Sequence, residues 1–397
     1  MKAVAVVGAS LAGLSTVRAL RAEGYDGSIT VIGAERHEPY DRPPLSKEFL
    51  KGSLEIDALA LGSSEEYQDL DTRWLLGRTV VRLDPRFRSL GLDDGQELRT
   101  DAVVIATGAT PRTLPGSTGP RGIHTLRTLD DAVALRADLI EGRPRVVVIG
   151  AGFIGAEVAS SAHALGLDVT VVEALEVPLE RALGREMGRV CAALHTDHGV
   201  RLLCGVGVSG FTGTDRVTGV RLTDGRLLPA DVVLVGVGVA PNTGWLADSG
   251  VAVDDGVLCD AGCATSVPNV VAVGDVASVP HAFTSRRSRI EHWTHATEQP
   301  LTAVRTLLSG ASAPPSAVPP YFWSDQYTAR IQLAGHVGPD DRPQVVEGDL
   351  DSRSFVAVYK RDGHEVAVLA VNQPKLFTRL RRGLVPFPAT AATAATV

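Results

Sequence analysis

Two glycine-rich hexapeptides carry the most evident chemistry in this sequence. One is Gly8-Ala9-Ser10-Leu11-Ala12-Gly13; the other is Gly150-Ala151-Gly152-Phe153-Ile154-Gly155. Each follows an apolar run, residues 3–7 and 145–149, and opens a stretch with helical apolar spacing. A turn of this kind leaves the first N–H groups of the helix unpaired and points the positive end of its dipole outward, so it binds phosphate. Gly8 and Gly150 supply the dihedrals of the turn, and Gly13 and Gly155 let helix and strand approach closely. The second hexapeptide has glycine at all three fingerprint positions. The first has Ser10 in the middle, where its Cβ crowds a pyrophosphate and its hydroxyl can donate to it.

About twenty residues past each turn, after the next apolar run, stands an acid. Glu35 follows residues 28–32, and Glu173 follows residues 168–172. A carboxylate there accepts from ribose hydroxyls. At Glu173 it would also repel a 2′-phosphate, which favours NADH over NADPH. The repeated strand, turn, helix, strand and acid imply two dinucleotide sites on parallel sheets.

The elements that must position these residues fit a chain of 397 residues, long enough for two or three domains. Hydrophobic residues make up 44% and charged residues 21%, which excludes a disordered or fibrous chain. The net charge of −7 argues against nonspecific nucleic-acid binding. No apolar run is long enough to span a membrane. The four cysteines, Cys191, Cys204, Cys259 and Cys263, make neither a disulfide framework nor a CxxC pair. They point to a reducing, cytoplasmic compartment, and no metal site is expected. Segments 111–120 and 309–320 are rich in Pro and small residues and read as linkers. Residues 330–334, 355–359 and 365–371 read as strands of a C-terminal part. The run 389–397 contains only Ala, Thr and Val and reads as a frayed tail.

Further motifs tie these pieces together. Asp41-Arg42-Pro43-Pro44-Leu45-Ser46-Lys47 is followed by Ala106-Thr107-Gly108, Leu126-Arg127-Thr128 and Gly236-Val237-Gly238. Then come Gly274-Asp275, Arg289-Ile290-Glu291-His292-Trp293 and Tyr321-Phe322-Trp323-Ser324-Asp325-Gln326. In this order, over residues 1 to about 340, the sequence resembles the FAD-dependent NAD(P)H:ferredoxin reductases that serve oxygenases. The resemblance implies an α/β fold with two Rossmann-like dinucleotide-binding domains and a smaller α+β C-terminal domain. The FAD domain would span 1–112 and 242–312, the NAD domain 113–241 and the C-terminal domain 313–397.

The same resemblance implies roles for single residues. Gly8, Ser10, Ala12 and Gly13 would surround the FAD pyrophosphate, with Glu35 at the adenosine ribose and Val80 at the adenine. Arg42 would lie near the phosphates, and Ala106, Thr107, Gly108 and Arg127 would line the FAD site. Asp275, at a strand end, can accept from ribityl hydroxyls. Gly150, Gly152, Ile154, Gly155, Glu173, Gly236 and Gly238 would hold NADH. Lys47 is expected at the flavin ring, where a cation stabilises the charge gained on reduction. Glu157, two residues past Gly155, would pair with Lys47 as a buried couple. Trp293 would lie against the flavin. His292 reads as a structural histidine or a proton relay.

By resemblance, electrons would pass from NADH through FAD to an iron–sulfur ferredoxin, which would feed an oxygenase such as a haem-thiolate monooxygenase. Two basic clusters suit an acidic ferredoxin: Arg286, Arg287 and Arg289, then Arg379, Arg381 and Arg382. A monomer and a homodimer both remain open. A disulfide reductase needs a redox cysteine pair near the flavin, but the first cysteine is Cys191. A monodehydroascorbate-type reductase, or a binding and signalling flavoprotein of the apoptosis-inducing-factor type, would keep the same fold.

Overall fold

A computed structural model describes residues 1–284, 286–314, 316 and 318–386. The run read as a tail lies outside the described residues. The apolar stretch Ala3–Val7 is the central strand of a five-stranded parallel sheet, buried on both faces as such strands are. Its neighbours are Ser28–Gly33 on one side and Ala102–Ile105 on the other, with Thr72–Leu76 and Val270–Ala272 at the edges. The last of these strands arrives from far along the chain, so this sheet is discontinuous in sequence. Helix Leu11–Ala22 covers it together with helix Trp293–Ser309; Leu14, Val17, Val304 and Leu307 share one core.

The second sheet repeats this plan. Arg145–Ile149 lies between Asp168–Val172 and Val232–Val235, with Arg201–Leu203 and Ile123–His124 outside, all parallel. Helix Phe153–Ala164 packs on it through Val158, Ala159 and Ala162. Each sheet also carries a three-stranded antiparallel flap: Val80–Asp84, Ser89–Leu92 and Glu97–Arg99 for the first, and Val208–Thr212, Gly219–Leu222 and Leu227–Pro229 for the second. The chain passes between the two units along an antiparallel ribbon of Ala109–Pro111 with Val239–Pro241.

The C-terminal part is an antiparallel sheet ordered Tyr321–Gln326, Ala329–Gly335, His364–Val371, Ser354–Arg361 and Arg342–Asp349. Three of these strands match the expected runs. Arg342–Asp349 is a largely exposed edge strand, and its polar sequence hides it from a search for apolar alternation. One face of the sheet packs Ile331, Phe355, Tyr359 and Leu369 against Leu183, Met187 and Leu194 of helix Glu180–Asp197. The other face holds Phe377 of helix Pro374–Arg381. Tyr327, at the turn between the first two strands, reaches into the second unit, where its hydroxyl meets His195 Nδ1 at 2.6 Å.

The two turns are built alike to atomic detail. Gly8 has φ +122°, and a Cβ there would lie 2.0 Å from the carbonyl oxygen of Ala106. Gly150 has φ +98°, and its Cβ would lie 2.2 Å from the Gly236 oxygen. In both, the turn runs over the end of the neighbouring strand, and only glycine fits. We therefore expect Gly8→Ala to cost more than about 3 kcal/mol in urea unfolding. A loss below about 1 kcal/mol would contradict this packing.

Candidate functional site

The two phosphate turns and the C-terminal sheet face one cleft of about 500 Å³. From the first unit it is lined by Ser10, Ala12, Arg42, Lys47, Ala106, Gly108, Arg127 and Asp275. The second contributes Gly152, Ile154, Gly155, Glu157, Gly236 and Gly238. Trp293, His292, Phe322 and Trp323 complete the wall. Neither Ser10 nor Gly152 closes its helix with a side-chain hydrogen bond, so the first N–H groups of both helices have no side-chain cap.

Other expected residues stand outside this lining. Gly8, Gly13 and Gly150 shape the turns from behind. Thr107 is tied to Asn242: its hydroxyl donates to the Asn242 carbonyl at 2.8 Å, and Asn242 Nδ2 returns a bond of 2.9 Å. Glu35 accepts from Arg42 Nη2 at 2.6 Å and from the Tyr40 hydroxyl. Glu173 accepts from Ala151 N at 2.8 Å, which holds it beside the second turn. Val80 is buried in the first core.

Arg42 organises the first turn. It donates from Nε to Ser10 Oγ at 3.2 Å and from Nη1 to the Arg127 carbonyl. Arg127 in turn pairs with Asp275, Nη2 to Oδ2, at 2.6 Å. These cations and carboxylates are partly open to the cleft.

At the inner end lies the most buried charge of the site. Lys47 Nζ stands 3.1 Å from Glu157 Oε2, with side chains 8% and 3% exposed. Ser46 Oγ donates to Oε2 at 2.5 Å and Ser324 Oγ to Oε1 at 2.8 Å. Gln326 Nε2 donates to Ser324 Oγ at 3.1 Å and fixes that hydroxyl. Burial pushes the Glu157 carboxyl above its ordinary range, and Lys47 and the two serines oppose that shift without cancelling it. Sequence reasoning brought Lys47 and Glu157 together. It missed Ser46 and Ser324 as partners, although both stand inside the motifs quoted for the resemblance.

Trp293 is 36% exposed, and its Nε1 donates to Asp41 Oδ1 at 2.7 Å. Its ring meets Trp323 edge-on at 6.2 Å, Trp323 stacks on Tyr321 at 5.9 Å, and the Arg381 guanidinium lies 4.1 Å over Tyr321. Phe153, opening the second helix, packs on Phe322 at 4.4 Å.

The expected basic clusters are altered. Arg289 is no surface charge: its side chain is 9% exposed and pairs with Asp255 and Glu291. Arg287 folds back to donate to the carbonyls of Cys259 and Ser278. Arg289 is drawn inward by neighbours that sequence spacing does not show. Arg286, Arg287, Arg379 and Arg382 are exposed. The cysteines are free, and none lines the cleft. Burial raises the Cys191 and Cys259 thiols to about 12, which leaves them unreactive.

The site fits two dinucleotides on two counts: uncapped helix N-termini and glycine turns that no Cβ could enter. Ser324→Ala would remove a hydrogen bond to a buried charged carboxylate and should cost about 2 kcal/mol in urea unfolding. A cost below about 0.5 kcal/mol would show that Glu157 does not need it.

Comparison with known proteins agrees with this geometry. The sequence model for pyridine nucleotide-disulphide oxidoreductases matches residues 2–299, and that for the reductase C-terminal domain matches 321–392. The chlorobenzene dioxygenase ferredoxin reductase component of Cupriavidus sp. is 40% identical, over 96% of this chain and 91% of that one. The 5,5'-dehydrodivanillate O-demethylase ferredoxin reductase subunit of Sphingobium sp. is 39% identical, over 95% and 91%. The crystal structure of the covalent putidaredoxin reductase–putidaredoxin complex superimposes with a TM-score of 0.91 at 34% identity, over 96% of this chain and 92% of the other. Similarity of this extent, on a cleft with two nucleotide turns and no cysteine pair, means that the chain belongs to the pyridine nucleotide-disulphide oxidoreductase family, in the branch of the FAD- and NAD(P)H-using ferredoxin reductases.

Proposed function

We propose that this chain passes electrons from NADH through FAD to an iron–sulfur ferredoxin that serves an oxygenase, a haem-thiolate monooxygenase being one such terminal partner. The observation that carries this reading is the Lys47–Glu157 pair, which stands where the two nucleotide turns open into one cleft. FAD, when bound, takes two electrons from the nicotinamide as a hydride and gives them up singly, which is the conversion a one-electron carrier requires. The protein supplies position and charge.

In this reading Ser10, Ala12 and the uncapped N–H groups of the first helix hold the FAD pyrophosphate, with Arg42 beside it. Glu35 serves the adenosine ribose, and Asp275, paired with Arg127, the ribityl chain. Gly152, Ile154 and Gly155 hold the second pyrophosphate, and Gly236 and Gly238 leave room for the nicotinamide end. Lys47 sits at the inner end as the cation that offsets the charge gained on reduction, and Glu157 keeps it in place. Trp293, braced by Asp41, forms a side wall. The FAD domain would comprise 1–112 and 242–312, the NAD domain 113–241, and the remainder the C-terminal domain. Four free cysteines suit a reducing cytoplasm. The ferredoxin would meet the exposed cations Arg286, Arg287, Arg379 and Arg382.

Cofactor choice rests on Glu173, which is already held at the second turn by Ala151 N. Anaerobic titration of the purified, flavin-bearing protein should show faster bleaching by NADH than by NADPH. Glu173→Gln should narrow that gap about tenfold or more, since a 2′-phosphate would no longer face a carboxylate. A protein without a flavin band, or one reduced faster by NADPH, would overturn the reading.

A further inference from the structure

The electron-transfer reaction leaves a proton behind. NADH and two oxidised one-electron acceptors become NAD+, two reduced acceptors and one H+. That proton has to travel from the inner cleft to water in every cycle. The wall of the cleft contains a group suited to receive it. His292 lines the cleft, and its Nδ1 is out of reach of solvent with no hydrogen-bond partner among the described residues.

His292 stands immediately before helix Trp293–Ser309, and His295 lies in its first turn. His295 is buried, and its Nε2 is also without a partner. The next ring is His281, on strand Ala277–His281, with its centroid 6.0 Å from that of His295. Its Nδ1 accepts from Phe283 N at 3.3 Å, so the neutral ring carries its proton on Nε2. Beyond His281 comes His336, which is only half-buried and follows strand Ala329–Gly335 of the C-terminal sheet.

A structural histidine in a core has its ring nitrogens satisfied. Here two rings, His292 and His295, keep an orphaned nitrogen; His292 lines the cleft, and His336 is half-buried. Resting on the functional reading above, we infer that His292, His295 and His281 form a buried relay that carries the released proton from the cleft to His336 at the surface. The 6.0 Å between the His281 and His295 ring centroids suits transfer through one bridging water.

The charges around the rings agree. Burial lowers His281 and His292 to about 4 and His295 to about 3, so all three rest neutral at pH 7. A neutral imidazole accepts on one nitrogen and donates from the other, which is what a relay requires. Asp275 faces His292 at the inner end and favours proton entry there. His336 faces His281, and Arg286, Arg361 and Asp341 surround His336. Burial also lowers His336, and the two arginines add to this against Asp341. A proton arriving there is therefore released rather than held.

The test follows proton and electrons separately in the flavin-bearing full chain. NADH is mixed with ferricyanide as the one-electron acceptor, in weak buffer with a pH-indicator dye, and flavin absorbance is recorded alongside. His295→Leu is expected to slow appearance of the proton about tenfold or more and to raise the solvent isotope effect, while flavin bleaching by NADH keeps its rate. His336→Ala, at the half-buried outer end, should do the same without disturbing the core, and added imidazole should restore part of the loss. Flavin-bearing variants at both positions that release protons as fast as the parent would overturn the relay. A parent protein that binds no flavin, or that NADH does not bleach, would instead overturn the functional reading beneath it.

Discussion

A carboxylate cannot stay charged in a protein interior without partners, and Glu157 is 3% exposed. The carboxylate and its partners come from three parts of the chain. Lys47 and Ser46 belong to the first nucleotide unit, Glu157 itself lies on helix Phe153–Ala164 of the second, and Ser324 stands on the first strand of the C-terminal sheet. The cost of burying this charge is met only when all three are docked in one arrangement. Buried ion pairs add little net stability over apolar packing, but breaking one side is expensive. The pair therefore acts as a register mark, assembling the cleft in the geometry that places the two phosphate turns opposite each other.

Around this point the remaining features divide the labour. Backbone, not side chains, prepares the pyrophosphate sites: glycines at the turns and uncapped N–H groups at the helix starts. Side chains then set charge. Arg42 and Arg127 lie along the first unit and Glu173 guards the second, while the buried lysine marks the inner end. The aromatic wall of Trp293, Trp323 and Tyr321 runs outward toward Arg381. The histidines behind Trp293 lead in another direction, toward His336.

The parts legible in the sequence were those set by local rules. The turns at Gly8 and Gly150 follow from glycine spacing after an apolar strand, because the crowding is with the next strand of the same sheet. Glu35 and Glu173 follow from the length of one helix and one strand. The pairing of Lys47 with Glu157 was legible only through family resemblance, since more than a hundred residues separate them. Ser324 as a third partner was not legible: nothing local distinguishes a hydroxyl on an exposed strand from one aimed into a cleft. Arg289 looked like a surface charge until Asp255 and Glu291 were seen to enclose it. The edge strand Arg342–Asp349 carries a solvent-facing sequence with no alternation to betray it.

The central claim is that Lys47 and Glu157 need each other to hold the units together. A double-mutant cycle of Lys47→Met and Glu157→Leu, read by urea unfolding of the flavin-bearing protein, tests it most directly. Each single change leaves an unpaired buried charge or an orphaned carboxylate, so each should cost about 3 kcal/mol or more. The double change should recover much of that loss, giving a coupling of at least about 2 kcal/mol. Additive losses, with a coupling below about 0.5 kcal/mol, would contradict the account.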